Sequence, residues 1–179
     1  MKIFKSSTSI HSGETSGFTL IELLIVVSII SMFASISMVS VRQGAAHARD
    51  NERRQTLKQL QVSLELYRDQ NGAYPSTGDA WYSSEQGDIG DYNSGAWIPN
   101  LSPVYLSSLP RDPKGGFSAT LCQGWGWKSA YLYRSNGTDY DLLSHCSMEG
   151  TTWGSSDPFY DLNRSTWGWE VCTPGGCGW

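Results

Sequence analysis

The chain has no proline before Pro75, no cysteine before Cys122 and only three histidines, His11, His47 and His145. With proline missing, nothing between Phe18 and Gln70 forbids one continuous helix. The four cysteines show no CxxC spacing, which argues against the usual zinc-ligand patterns. No Gly-x-Ser-x-Gly, phosphate loop or dinucleotide fingerprint occurs, so no catalytic constellation emerges and the chain reads as a non-enzyme. Basic charge is scarce too. Thirteen Lys and Arg against 17 Asp and Glu give a net charge of -4 and a pI near 5.3. That balance excludes bulk nucleic-acid binding by the polar part of the chain.

Charge is scarcest from Phe18 to Val41, FTLIELLIVVSIISMFASISMVSV, where Glu22 stands alone among 24 residues. At about 1.5 Å per residue, a helix of that length covers ~36 Å, enough to cross a hydrocarbon core of ~30 Å. Ser28, Ser31, Ser35, Ser37 and Ser40 moderate its hydrophobicity and suit close helix packing. A carboxylate in such a segment is costly and marks a functional position, unless Glu22 snorkels to the headgroups. An ordinary secretory signal places its cleavage site after the apolar stretch. Here the polar segment MKIFKSSTSIHSGETSG ends in Gly17, immediately before it.

Beyond Val41, residues Leu57, Leu60, Leu64 and Tyr67 fall at helical spacing and form one apolar stripe. Asn71-Gly72 is a helix stop. The pattern predicts one helix from about Phe18 to about Gln70, whose second half, residues 42–70, packs its stripe on a head formed by residues 71–179.

The head is rich in Gly, Ser, Asp, Tyr and Trp. Tyr74 to Pro103 reads as a long irregular segment carrying Trp81, Tyr82, Tyr92 and Trp97. Aromatics in loops can stack on sugars, but a small head also needs large side chains to fill its core. The stretch AYLYRSNGTDYDLLSH, Ala130 to His145, predicts a β-hairpin turning at Asn136-Gly137. An even number of cysteines in a non-cytoplasmic head predicts two disulfides among Cys122, Cys146, Cys172 and Cys177. The Thr-Pro-Gly-Gly turn favours Cys172 with Cys177, leaving Cys122 with Cys146, although four cysteines allow three pairings. A zinc site from these thiols plus His145 is the rival reading.

The stretch GFTLIELLIVVSII closely resembles the class III signal of type IV prepilins and type II secretion pseudopilins. The segments LELYRDQNGAYPS (Leu64 to Ser76) and YLSSLPRDPKGG (Tyr105 to Gly116) resemble the type II pseudopilins more particularly. The resemblance implies a type IV pilin-like fold of class α+β. Its long helix, transmembrane in its first half, packs on a small antiparallel sheet with long loops. The implied parts are a leader at 1–17, a transmembrane and filament-core helix at 18–41, its amphipathic continuation and an extracytoplasmic head.

By position, the resemblance implies that a prepilin peptidase cuts between Gly17 and Phe18 and methylates the Phe18 amine. It implies that Glu22 faces the Phe18 amine of a neighbouring subunit, so that each charge offsets the other's desolvation. The implied partners are further copies of the chain in a helical polymer, minor pilins, and an inner-membrane platform with its ATPase. The implied location is the bacterial inner membrane, single-pass with the head outside the cytoplasm, then the filament. The positive-inside rule points the other way: the leader holds Lys2 and Lys5, while Arg42, Arg49, Arg53 and Arg54 follow the helix. Val39 stands where family members often carry a proline linked to helix melting. The family often holds calcium in the loop after its last strands. Asp139, Asp141, Glu149, Asp157 and Asp161 are available acids here, read as solvated, with no ligand assigned. The alternatives to a secretion pseudopilin are a surface pilin for adhesion, motility or DNA uptake, and an anchored carbohydrate-binding module.

Overall fold

A computed structural model describes residues 17–90, 93–117, 122, 126–150, 154–164 and 167–179, without the side chains of residues 36–40, 94 and 117. The expected leader lies outside the described residues except for Gly17, as does Tyr92. The chain divides into two units, one ending at Val41 and one beginning at Arg42.

One helix, α1, runs Leu20–Asn71 and contributes to both units. It stops where the sequence places the stop. Gly72 takes φ 78°, and its N–H donates to the Arg68 carbonyl at 2.7 Å. The left-handed conformation at C′ costs glycine little, and the bond satisfies a terminal carbonyl.

In the second unit the sheet is antiparallel throughout. Its strands are β1 (Tyr82–Ser83), β2 (Gly116–Phe117), β3 (Lys128–Ser135), β4 (Tyr140–His145) and β5 (Gly168–Cys172). The order is β1-β3-β4-β5, with β2 pairing a different part of β3. The expected hairpin is β3–β4. Its register closes at Ser135↔Tyr140, leaving the four-residue loop 136–139 rather than a two-residue turn. The Asn136 side chain sets that loop: its Oδ1 accepts the N–H groups of Thr138 at 2.9 Å and Asp139 at 2.8 Å.

Side chains alternate across the sheet, so its two faces differ. One face presents Tyr131 and Trp169 beside Tyr133, Leu142 and Val171, in one core cluster with Leu57, Leu60 and Leu64 of the helix. Trp97, Ile98 and Leu101 join the same core. The Tyr74–Pro103 segment is therefore less irregular than its composition suggests. It supplies the edge strand β1, a 3-10 turn at Asn93–Gly95 and four core side chains, Tyr74, Trp97, Ile98 and Leu101. Trp97 is buried and stacks on Tyr131 at 6.0 Å between ring centroids, which fits a core staple and not a sugar platform. The opposite face carries Leu132, Leu143, Glu170, Asp141 and His145, and all of them are buried.

The stripe makes a direct test. Replacing fully buried Leu60 with Ala should cost about 2–5 kcal/mol by chemical denaturation. Val62→Ala, at a position 60% exposed, should stay within about 0.5 kcal/mol.

Candidate processing and assembly site

The helix begins with a reciprocal cap that the sequence analysis overlooked. Thr19 Oγ1 accepts the Glu22 N–H at 3.3 Å, and Glu22 Oε2 accepts the Thr19 N–H at 2.8 Å. The Thr19 hydroxyl also donates to Glu22 Oε2 at 2.7 Å. This is a capping box, and Thr-x-x-Glu ahead of an apolar run was its visible signal. Glu22 thus satisfies a backbone donor at the helix start and places negative charge at the positive end of the helix dipole. Phe18, the expected mature N-terminus, sits one residue before the cap and is 87% exposed. A Cβ at Gly17 would meet nothing within 4 Å among the described residues.

From Leu20 to Phe33 the large apolar side chains are exposed on every face of the helix. A helix apolar all round needs an apolar environment or partners. Its serines are compatible with that. The hydroxyls of Ser28, Ser31 and Ser35 donate to the carbonyls of Ile25, Val27 and Met32 at 2.6–2.7 Å, so these three are already bonded where an apolar neighbour would cover them. Among the described residues no helix is long and apolar enough to cross a membrane. Side chains 36–40, inside the apolar run, are not among those described.

The arginines that follow are committed to the head. Arg53 lies on the same helix stripe as Leu57, Leu60 and Leu64 and is fully buried. Its guanidinium holds Asp112 through two bonds of 2.7 and 2.9 Å, Asp50 at 2.9 Å and Glu149 at 2.8 Å. Burial alone would lower its pKa, but Asp112 and Glu149 outweigh it and hold the charge firmly. Glu149 also takes Arg49 and Lys114, and Arg54 pairs with Asp157. Burial would raise the Glu149 carboxyl, but these cations hold it down at about 2. Asp50 accepts the N–H groups of Glu149 and Gly150. Three of the four arginines that defy the positive-inside rule are therefore neutralised by head carboxylates.

The reading of the loop acids as solvated is corrected by this geometry. Asp141 and Asp161 are buried, while Glu149 and Asp157 lie in ion pairs. The five acids do not converge either. Asp161 accepts from the backbone of Asn163 and Arg164 and pairs with the Arg164 guanidinium at 2.9 Å, and Asp139 accepts the Thr173 hydroxyl. Asp141 is left with both oxygens lacking a hydrogen bond among the described residues, 3.9 Å from Arg164. Arginine occupies the cationic role in both clusters, so these residues do not fit a calcium cage. Disulfides join Cys122 to Cys146 and Cys172 to Cys177, with Cα separations of 5.8 and 5.1 Å. They consume the sulfurs that a zinc site would need. Around the second, Gly176 packs so closely that a Cβ would lie 2.1 Å from the Tyr140 carbonyl.

Comparisons with known proteins agree with this arrangement. Residues 15–38 match the prokaryotic N-terminal methylation motif. The long capped helix that carries this motif packs its later half on an antiparallel sheet, which is a pilin-like α+β arrangement. The chain is similar to the type II secretion system core protein G of Pseudomonas aeruginosa, with 28% identity over 86% of this chain and 96% of that protein. It is also 26% identical to the core protein G of Escherichia coli strain K12, over 81% of this chain and 95% of that protein. No solved structure matches the chain significantly.

Two outcomes follow from the buried charges. Arg53→Met leaves Asp112, Asp50 and Glu149 without their shared cation and should cost about 3–5 kcal/mol in denaturant titrations. Asp141 behaves in the opposite sense. Burial first, then the neighbouring Glu170 carboxylate, pushes its carboxyl up to about 9, against about 3.9 in the unfolded chain. The folded state thus keeps a proton that the unfolded chain releases. This stabilisation is complete below pH ~4 and is lost as pH rises toward 9. Asp141→Asn stays neutral, so its melting temperature should gain on the wild type steadily between pH 5 and 9.

Proposed function

We propose that the chain is the major, non-catalytic subunit of a type II secretion pseudopilus. The observation that carries this reading is the methylation motif at the head of a chain that aligns with core protein G over nearly its whole length. The peptidase cut falls between Gly17 and Phe18, and Phe18 becomes the methylated N-terminus. Residues 18–41 hold the precursor in the inner membrane as a single span, with the disulfide-bonded head outside the cytoplasm. A platform protein and ATPase then draw the helix into a filament, where minor pilins and copies of this chain replace lipid around it.

Glu22 has two tasks in this scheme. It caps its own helix, and it offers a carboxylate to the Phe18 amine of the next subunit. The capping geometry supports the first task, and an acid in an apolar segment supports the second.

Glutamine separates the two tasks because it completes a capping box without charge. Glu22→Ala and Glu22→Gln should both insert normally and both lose filaments, as judged by sheared-filament yield. Full filament yield from the glutamine variant would leave capping as the whole role of Glu22. Intact mass after co-expression with a prepilin peptidase should correspond to a chain starting at N-methylated Phe18. A chain starting at Met1, or beyond Val41, would refute the pathway.

A further inference from the structure

The loop-covered face of the sheet holds a cluster that the filament reading does not use. His145 ends β4 and Cys146 follows it. The imidazole Nε2 lies 3.5 Å from Cys146 Sγ. On its other side Nδ1 lies 3.8 Å from Asp88 Oδ2 and has no hydrogen-bond partner among the described residues. Asp88 is held in place. Its Oδ1 accepts the Lys128 N–H at 3.0 Å, and its Oδ2 accepts the Ser83 hydroxyl at 3.3 Å. Trp127 and Trp167 flank the imidazole at 5.3 and 5.2 Å between ring centroids. Cys122, Cys146 and His145 are each 1% exposed. Of the cations packed on this side, the Lys128 ammonium is bound by the Gln86 carbonyl, and the Arg164 guanidinium faces Asp161.

We propose that Asp88, His145 and Cys146 form a buried thiol-activating relay that makes Cys146 the nucleophile when the Cys122–Cys146 disulfide closes. The co-reactant is a disulfide-bearing oxidant. One half of that oxidant is first captured on Cys122 as a mixed disulfide, and the other half leaves as a thiol. His145 Nε2 then takes the proton from the Cys146 thiol, and Asp88 stabilises the imidazolium. The Cys146 thiolate attacks Cys122 Sγ and breaks the mixed disulfide. The departing thiolate recovers the proton from His145. Two electrons leave the protein thiols, and the oxidant disulfide is reduced to two thiols.

A carboxylate oriented behind an imidazole that faces a sulfur is the arrangement that lowers a thiol's pKa and raises its thiolate fraction. The second disulfide provides a contrast inside the same chain. A Glu170 carboxylate oxygen, and among the described residues no imidazole, lies within 4.8 Å of the Cys172 and Cys177 sulfurs. A nearby carboxylate disfavours a thiolate, so Cys172–Cys177 should close without help.

The test uses the full chain in detergent micelles. In Cys122→Ser, Cys146 is the single free thiol while Cys172–Cys177 stays closed. Its thiolate absorbance at 240 nm, measured against the variant with both Cys122 and Cys146 changed to Ser, should reach half-height at least about one pH unit below the ordinary value of ~8.5. Adding His145→Gln should return the half-point to that value or above, and Asp88→Asn should move it the same way. A half-point at or above the ordinary value in Cys122→Ser itself overturns the relay, whether or not the His145 variant folds. A second readout follows closure of both disulfides in the reduced chain exposed to oxidised glutathione. His145→Gln should slow Cys122–Cys146 closure about tenfold and leave Cys172–Cys177 closure unchanged. Equal rates in wild type and variant would also overturn it.

Discussion

Arg53 is the constraint on which the head depends. A guanidinium has been carried onto the apolar stripe of α1 and fully desolvated. Such a group is tolerated only when its hydrogen-bonding capacity is met by compensating charge. Here the compensation comes from three separate places: Asp50 one turn back on the helix, Asp112 in the loop before β2, and Glu149 after β4. A hydrophobic residue at position 53 could pack, but it could not dictate where those two loops sit. The arginine can, because its planar fork donates two directional bonds to the Asp112 carboxylate. Asp50 then extends the constraint by accepting the backbone of Glu149 and Gly150. The register of loop against helix is thus written in directional bonds, while the energy of association comes from Leu57, Leu60, Leu64 and the aromatic face of the sheet.

The same logic explains why a three-layered head can be built from so little regular structure. The sheet is buried on both faces, by the helix on one and by loops on the other. All six residues of β4 are buried as a result. Loops make poor covers because their backbone polar groups need partners. The chain meets this need by tying loop side chains to the backbone of β3 and of the loops themselves. Thr77 Oγ1 accepts the Ser135 N–H, Ser84 Oγ accepts the Tyr131 N–H, and Asp161 accepts two backbone N–H groups. Two disulfides pin the remaining ends. Asp141 is the residual flaw in this scheme, a carboxyl whose burial is relieved by keeping its proton.

What the sequence made legible follows from which signals are periodic. The long helix, its Gly72 stop, the stripe and the β3–β4 hairpin all rest on local patterns, and each appears within a residue or two of its expected place. The relation between Arg53 and Asp112 could not be read, because 59 residues separate them and nothing local distinguishes a buried arginine from a solvated one. One hint was available: position 53 continues the spacing of 57, 60 and 64, and a charge on an apolar stripe demands a partner. The loop acids were misjudged for the same reason. Composition suggested solvent, whereas helix arginines 96–103 residues earlier in the chain had already claimed Glu149 and Asp157. Trp97 and Leu101 entered the core from a segment without periodicity, which only three-dimensional packing reveals. Cysteine pairing lay between these cases, since the Cys172–Cys177 turn is local and the other bridge is not.

In the proposed filament Glu22 would meet demands that belong to different states of the chain. In the isolated helix its carboxylate is not a bare charge, because Thr19 meets it with both an N–H and a hydroxyl. That local bonding reduces the cost of placing an acid beside an apolar segment, so the position is tolerable before any partner arrives. Both bonds fall on Oε2. Cutting the chain before Phe18 would create a cation one residue from the cap without removing the Thr19 N–H that the cap uses. Such processing would change the electrostatics at the helix start while leaving the cap's bonds in place. A charge that is already capped can be shared with an incoming amine at little further desolvation cost, whereas an uncapped one would first have to shed water. On this argument the Thr-x-x-Glu box would also serve the proposed assembly role of Glu22: the cap holds the carboxylate in position while the subunit has no neighbour.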